Sequence, residues 1–330
     1  MSDIFSILPG LEVPVAQISS SLASLWVDSA AQGRAAPASD DVKATQVNFI
    51  LHLGFGTSAD DALAQFRTAV SFSSRYPSRV VVLCPRMDDG TTPPEMRAKI
   101  YGECFLGKSK GDTRCCEFVI LHYSMSARRF LESQVSICLQ ADLPLYYWVH
   151  RFTLTSRLGD YQVLLRSACR LIFDTATAPA DILDYAWPNP ASVRDLAYAR
   201  ILPIRQSIGQ FLSRYEPRLL TDALKRVTVS YEAVHIAEGR ALMRWVRARL
   251  RDCGIDEAEL VWSEKILPNK EGICFGLSFD YRGAKQFAWR GNCDTGVSHF
   301  CADLGNGIME LPSHIQLLPA EQALSEAMFF

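Results

Sequence analysis

Short runs of β-branched and aromatic residues that alternate with helical patterns most constrain how the first two-thirds of this chain can fold. In chain order, the candidate strands and helices occupy residues 46–53, 59–74, 79–85, 97–107, 115–124, 126–140, 143–150, 158–167 and 170–176. Strands that alternate with helices favour a mainly parallel sheet covered on both faces. We therefore predict an α/β fold with such a sheet in its N-terminal domain.

The last third of the chain repeats the alternation on a smaller scale. Its candidate strands and helices occupy residues 227–234, 239–252, 259–266, 273–282, 285–290, 299–303 and 319–328. Strands that follow each other without a helix between them are typical of antiparallel pairing. This part is predicted to be a smaller C-terminal α/β (α+β) domain.

A long helical pattern at residues 192–215 lies between the two parts. Ser192 and Asp195 can form a weak capping pair at its start, and Pro203 is expected to kink its middle. We expect this helix to bridge the domains. The predicted organisation is an N-terminal helix and connector (1–45), an α/β domain that includes the bridging helix (46–215) and a smaller domain (216–330).

Length and composition narrow the class of protein. The 330 residues are 48% apolar, enough for two cores, and the formal net charge is only -2 with no long basic run. Nucleic acid and membranes are therefore not expected partners. The N-terminus lacks the pattern of a secretory signal, and no apolar run approaches the roughly 18 residues of a membrane span, so we expect a cytoplasmic protein.

The loop Gly54-x-Gly56-x-x-Ala59 follows a strand and opens a helix, in the order of a dinucleotide-binding fingerprint. No carboxylate ends the next strand, where one should bind the ribose. Asp60 and Asp61 also lie in the first helical turn, where they stabilise the helix dipole and would repel a pyrophosphate. We interpret the loop as a plain strand-to-helix turn and expect no cofactor.

The ten cysteines are spread along the chain, and we interpret most of them as reduced core thiols. Cys115 and Cys116 are adjacent, so on a strand they point to opposite faces, although a vicinal disulfide stays an alternative. Cys293, His299 and Cys301, with Cys274 as a fourth ligand, match no structural zinc spacing, and we predict no metal site.

Motifs of catalysis are missing as well. The chain has neither G-x-S-x-G nor a P-loop, and its six histidines fall mostly in or beside apolar strands. We predict no catalytic residues.

Several segments resemble the OpcA family of bacterial glucose-6-phosphate dehydrogenase assembly or activator proteins. They are VPVAQISSSLASLW, KATQVNFILHL, YPSRVVVL, CCEFVIL, ADLPLYYWV, RLIFDTA and RDLAYARILPIRQSIGQFL. The run from Asp195 to Arg205 resembles the family pattern D-L-A-W-A-R-x-x-P-W-R. Tyr198 and Ile204 depart from it where tryptophan is usual, and Val149 departs where the family often has a second tryptophan after Trp148.

The resemblance implies a non-catalytic subunit that binds glucose-6-phosphate dehydrogenase, favours its active oligomer and raises its affinity for glucose 6-phosphate. It thereby implies a role in the oxidative pentose phosphate pathway and NADPH supply. In some photosynthetic relatives the activator is associated with thiol redox control.

Arginine and aromatic anchors usually dominate the surfaces of such complexes. The candidate partner-binding residues are Arg200, Arg205, Trp148, Tyr147, Arg151, Asp195 and Asp174. Asp174 and Asp195 are candidates to hold Arg200, and a purely structural role in the domain junction is the alternative. The stripe Ile18, Leu22, Trp26 and the terminal Phe329 and Phe330 are interpreted as intramolecular packing, with partner contact as the alternative.

Two other functions remain open at this point. One is an NAD(P)-binding oxidoreductase that uses the Gly54-x-Gly56 loop. The other is a thiol redox sensor that uses Cys115 or Cys116.

Overall fold

The computed structural model describes residues 4–31, 45–88, 93–106, 113–268, 272–305 and 307–330. Most of the predicted connector, from residue 32 onward, lies outside the described residues. Residue contacts group the chain into two compact units, Met1–Leu196 with Leu324–Phe330 (the first unit) and Ala197–Ala323 (the second unit). The domain boundaries at residues 45/46 and 215/216 stay a prediction. None of the helices in the described ranges is both long and apolar enough to cross a membrane.

The first unit contains most of the parallel strands. Its elements are α1 (Ile4–Ile7), β1 (Leu11–Val13), α2 (Ile18–Ala31), β2 (Val47–Leu53), α3 (Ala59–Arg75), β3 (Ser78–Arg86), β4 (Met96–Leu106), β5 (Thr113–Ser124), α4 (Leu131–Cys138), β6 (Leu145–His150), α5 (Gln162–Ser167), β7 (Arg170–Phe173) and β8 (Val193–Asp195).

These strands form one eight-stranded sheet with the order β1-β4-β5-β3-β2-β6-β7-β8. The six strands from β5 to β8 in this order are parallel, and β4 and β1 pair antiparallel at one edge. The prediction of a mainly parallel sheet is confirmed. The parallel part of the sheet starts in the middle at β2, adds β3 and β5 on one side, and then adds β6, β7 and β8 on the other. The strand order therefore reverses between β2 and β6.

Both faces of this sheet are packed. All residues of β2 and β6 are buried, as expected for parallel strands covered on both sides. On one face α3 packs Phe66 against Phe118, with ring centroids 4.9 Å apart, and Phe72 against Phe49 at 6.0 Å. Because neighbouring side chains on a strand point to opposite faces, Ile50 joins the core on the other face.

The two chain ends pack inside the first unit. Ile18, Leu22 and Trp26 are buried, and the indole N–H of Trp26 donates to Glu117 Oε1 at 2.5 Å. Near the other end, the ring of Phe329 lies 4.7 Å from that of Tyr76. These side chains make the intramolecular contacts that the sequence analysis favoured over partner contact. Phe330, in contrast, is 77% exposed.

A buried hydrogen-bond network crosses the core of the first unit. His52 Nδ1 lies 2.5 Å from the Tyr147 hydroxyl, and Nε2 lies 3.0 Å from the Tyr123 hydroxyl. Tyr123 in turn donates to the Tyr161 hydroxyl at 2.9 Å. Complete burial lowers the pKa of His52 to about 3, because the charged imidazolium would lose its hydration. The imidazole is therefore neutral at pH 7.

The second unit contains the remaining elements. They are α6 (Leu196–Arg200), α7 (Leu202–Leu212), α8 (Pro217–Thr221), β9 (Leu224–Glu232), α9 (Ile236–Asp252), β10 (Val261–Leu267), β11 (Phe275–Tyr281), β12 (Gln286–Asn292), β13 (Val297–Asp303), β14 (Met309–His314) and α10 (Ala320–Phe329), whose last residues belong to the first unit. The six strands form a sheet with the order β10-β9-β11-β12-β13-β14. Only the β9–β10 pair is parallel, so the prediction of a smaller α/β domain with antiparallel strands is confirmed.

The prediction of one long bridging helix at residues 192–215 is wrong. Residues Val193–Asp195 form strand β8, and two separate helices, α6 and α7, follow. Pro203 lies in the first turn of α7, where its missing N–H costs no hydrogen bond, so it starts a helix and does not kink one. Ser192 does not cap the predicted helix, since strand β8 follows it, and its hydroxyl donates to the carbonyl of Asn189 at 2.7 Å.

Helix α9 lies close against β9 in the core of the second unit. A Cβ added at Gly239 would lie 2.0 Å from the ring of Tyr231, so only glycine fits there. A Cβ added at Gly209 in α7 would meet its nearest neighbour, the Trp245 side chain, at 3.9 Å, which is an ordinary van der Waals contact.

These two helical glycines give a matched test of packing. We expect Gly239→Ala to lower the free energy of unfolding by about 1–3 kcal/mol, since overpacking outweighs the better helix propensity of alanine. We expect Gly209→Ala to be neutral or stabilising by up to about 1 kcal/mol. Urea denaturation measures both, and equal effects would contradict the close contact at Gly239.

Burial of neutral His52 predicts a dependence of stability on pH. The unfolded chain binds a proton at an ordinary pKa of 6.5, while folded His52 binds one only near pH 3. The free energy of unfolding therefore falls as the pH is lowered through this window, by about 2 kcal/mol between pH 7 and pH 5 from this residue.

Urea denaturation at both pH values checks this expectation. His52→Gln should lose that part of the pH dependence, and His299→Gln, at an exposed position, should keep it. An unchanged pH dependence in His52→Gln would contradict the assignment.

Candidate functional site

The carboxyl ends of the parallel strands bring several predicted site residues to one edge of the first sheet. Arg151 directly follows β6, Asp174 follows β7, and Asp195 ends β8. Since β6, β7 and β8 are neighbours in the sheet, these residues lie side by side along what we call the carboxyl edge. Ligands of open α/β sheets bind at this edge where the strand order reverses, which here is between β2 and β6.

The glycine loop after β2 is in direct contact with the end of β6. The N–H of Gly54 donates to the carbonyl of His150 at 2.6 Å, and the N–H of Gly56 donates to the carbonyl of Arg151 at 3.2 Å. A Cβ added at Gly54 would lie 2.4 Å from the Arg151 carbonyl oxygen. Glycine is needed here for the close approach of two backbone segments, and two of the loop amides that could hold a phosphate already have partners in the chain.

The N-terminus of α3 holds a carboxylate of the chain itself. Asp61 Oδ2 lies 2.8 Å from His150 Nε2 and 2.6 Å from Arg151 Nε, and Gln65 donates to Oδ1 at 3.0 Å. Burial raises the pKa of Asp61, but the hydrogen bond and charge of His150, the hydrogen bond from Gln65 and the charge of Arg151 outweigh it and lower this pKa to about 2. Asp61 is thus ionised, and its negative charge lies in the first turn of α3, where the helix dipole stabilises it.

Arg151 has an unusual backbone conformation. Its φ is 49°, in the left-handed region that non-glycine residues rarely adopt. Such a conformation costs about 1–3 kcal/mol and persists only where the surroundings impose it. The hydrogen bond from Gly56 and the ion pair with Asp61 hold it, and the Arg151 side chain is 41% exposed.

Asp174 and Asp195 organise the loop that follows β7. Asp195 accepts hydrogen bonds from the backbone N–H and the hydroxyl of Thr175, at 3.1 and 2.9 Å, and Asp174 accepts one from the N–H of Ala176 at 2.9 Å. Both carboxylates therefore have a local structural role at the carboxyl edge.

The other predicted partner-binding residues do not lie at the carboxyl edge. Tyr147 and Trp148 are 0% and 2% exposed and belong to the interior of the first unit. Arg200 and Arg205 belong to the second unit, where Arg200 Nε lies 2.7 Å from Glu238 Oε1 and the Arg205 guanidinium lies 3.8 Å from the centre of the Tyr198 ring. Partner contact by these residues stays a prediction.

The cysteines differ from the expectation in their pairing. Cys115 forms a disulfide with Cys104, directly opposite on β4, so a Cys115–Cys116 disulfide does not occur. Burial raises the pKa of the Cys116 thiol, and the nearby carboxylate of Glu103 raises it further, to about 12. The thiol is therefore inert. Cys274 and Cys293 form a second disulfide, which rules them out as metal ligands. The described residues contain no group of three or more metal-ligating side chains.

The cluster of Asp61, His150 and Arg151 was not predicted as a site. The sequence shows both parts of the cluster, the acidic first turn of α3 and the arginine directly after β6. Asp61 and His150 are 89 residues apart in the chain, so the sequence does not show that they meet. Within the described ranges His150 Nδ1 is buried without a partner, and no hydroxyl or thiol binds this histidine. The arrangement supplies a structural ion pair and lacks the nucleophile–base contact that covalent catalysis requires.

Neighbouring acids on α3 allow a test of this cluster. Asp60→Asn removes an exposed carboxylate from the helix N-terminus and should cost about 0.5 kcal/mol. Asp61→Asn also removes the contacts with His150 and Arg151 and should cost about 2 kcal/mol, most of it from the buried hydrogen bond because Arg151 is exposed.

The pH dependence of this difference has a definite sign. The stabilisation by Asp61 is complete above its ordinary pKa of 3.8 and is lost as the pH falls through about 2. Urea denaturation near neutral pH measures the difference between the variants, and equal losses would contradict the ion pair.

Comparison with known proteins found a family model that matches part of the chain. A search of curated proteins found no match. Residues 69–186 match the OpcA family model described as the glucose-6-phosphate dehydrogenase subunit N-terminal domain. This segment runs from within α3 past β7 and includes Arg151 and Asp174, while Arg200 and Arg205 lie beyond it. The match agrees, over residues 69–186, with the resemblance noted in the sequence.

Proposed function

We propose that this chain is a non-catalytic assembly factor and allosteric activator that binds glucose-6-phosphate dehydrogenase and promotes its active oligomer. Its place of action would be the cytoplasm, in the oxidative pentose phosphate pathway. The observation that carries the proposal is the family match over residues 69–186, whose description names a subunit of this dehydrogenase.

The geometry of the carboxyl edge supports a role without catalysis. At the reversal of strand order, where an α/β enzyme binds its ligand, the backbone of residues 54–56 bonds directly to the end of β6. Asp61 provides the negative charge at the N-terminus of α3. Both features oppose the rival interpretation as an NAD(P)-dependent oxidoreductase, since a pyrophosphate would have to displace them.

An activator must bind one state of its partner more tightly than the other. Arginines that retain some exposure and are held in position suit such a contact, because less side-chain freedom is lost on binding. Arg151 is held by Asp61, Arg200 by Glu238 and Arg205 by the ring of Tyr198. We propose these arginines as the partner contacts. Tyr147 and Trp148 act indirectly in this proposal, by supporting strand β6 from within the core.

The test uses the purified chain and the dehydrogenase of the same organism. We expect a complex on size-exclusion chromatography with light scattering and a larger fraction of the higher oligomer. The KM for glucose 6-phosphate should fall by roughly 5- to 150-fold, the range of typical allosteric couplings. An absence of both complex and kinetic change would refute the proposal.

Paired variants test the arginines. Arg205→Gln removes the guanidinium above Tyr198 and should weaken the complex at least about tenfold, as loss of an interface arginine often does. Arg249→Gln changes an exposed arginine whose ion-pair partner is Asp252 three residues along the same helix, and it should leave the affinity unchanged. Equal affinity of both variants would exclude Arg205 from the interface.

A further inference from the structure

The sheet of the second unit has one face that packs in the core and one face that is partly exposed. Along β9, Val227, Val229 and Tyr231 point into the core, while Thr228 and Ser230 point to the opposite face and are partly exposed. The same alternation places Gly276 and Ser278 of β11 and Ala288 and Arg290 of β12 on that second face, which we call the open face.

Strand pairing aligns two rows of residues across the open face. Lys265 pairs with Ser230, Ser230 with Gly276, and Gly276 with Arg290. The next row consists of Ser263, Thr228, Ser278 and Ala288 in the same strand order. At a strand spacing of about 4.8 Å, Lys265 and Arg290 stand roughly 14 Å apart at their backbones, with small residues between them. Their long side chains can reach over this gap.

A cavity of about 320 Å³ occupies the gap. Its floor is low because Gly276 has no side chain, and a Cβ there would lie 2.4 Å from Ser230 Oγ. Leu267 and Ile273 add apolar surface to its wall. This volume is within the range of sites for small molecules.

The polar groups of the cavity share two properties. The lining contains the hydroxyls of Thr228, Ser230 and Ser278 and the cations of Lys265 and Arg290, and no carboxylate is among the described lining residues. Within the part of the chain that the structure describes, these five side chains have no hydrogen-bond or ion-pair partner. Several donors with a net positive charge therefore surround one concave space and are free to bind a ligand.

We propose that this cavity binds a small polyhydroxylated anion. The two cations would bind the anionic group by charge-assisted hydrogen bonds, and the three hydroxyls would exchange hydrogen bonds with the hydroxyls of the ligand. Phosphate esters of sugars and sugar acids share this chemistry. The site lies wholly in the second unit and does not depend on the proposed partner.

Calorimetric titration of the full chain, without any partner, tests the site with four probes. Ribose 5-phosphate and gluconate represent the two sources of the anionic group. Inorganic phosphate lacks the polyol, and ribose lacks the charge. We expect at least one of the two anionic polyols to bind more tightly than both simpler probes.

Variants locate the binding. Lys265→Gln combined with Arg290→Gln should weaken it at least about tenfold, since hydrogen bonds to charged groups are the stronger ones. Lys225→Gln, an exposed lysine on β9 that does not line the cavity, is the matched control and should bind as the wild type does. Thermal unfolding shows whether both variants remain folded.

Three results would overturn the proposal. They are no binding of either anionic polyol, binding no tighter than that of inorganic phosphate or ribose, and binding that the double variant leaves unchanged. None of these results bears on the dehydrogenase complex, so failure of this site and failure of the proposed function are distinguishable.

Discussion

The contact between the glycine loop and the end of β6 is the constraint on which the first unit depends. Two backbone hydrogen bonds join Gly54 and Gly56 to the carbonyls of His150 and Arg151, and no side chain fits at Gly54. The contact brings the N-terminus of α3 to the same place, where Asp61 meets His150 and Arg151. Arg151 adopts its left-handed backbone conformation within this arrangement. One junction thus fixes the central strands β2 and β6 and the helix that follows the loop.

This junction also changes the edge at which an open α/β sheet usually binds its ligand. An open sheet with this strand order usually has a crevice at the reversal point that accepts a ligand. In this chain the loop after β2 is hydrogen-bonded to the end of β6, and Asp61 pairs with Arg151 there. A cavity of about 280 Å³ lies on the other side of the loop, toward the end of β3. The second sheet differs in that its open face bears unpartnered hydroxyls and cations around a cavity. The two units therefore offer different chemistry, a charged edge in one and a polar concave surface in the other.

Much of the fold could be predicted from local pattern because buried parallel strands are continuous apolar runs. The strands at residues 47–53, 78–86 and 145–150 are examples. Helix α9 could be predicted from its helical periodicity. Strand β14 was missed because it is a largely exposed edge strand that contains Pro312 and lacks an apolar alternation. The long helix failed for a different reason. The helical pattern of residues 192–215 is real, but β8 pairs with β7 and Pro203 starts a new helix, which periodicity alone does not reveal.

The sequence by itself determined the α/β class, the two sheets, the family resemblance and the presence of an acidic first turn after the glycine loop, because these depend on residues that are neighbours in the chain. Tertiary structure alone decided that Asp61 meets His150 and Arg151, that Cys115 pairs with Cys104, and that Lys265 and Arg290 flank one cavity. Each of these depends on strand order and register. Register is set by the packing of whole faces, so it brings together side chains whose distance along the chain carries no information about their distance in space.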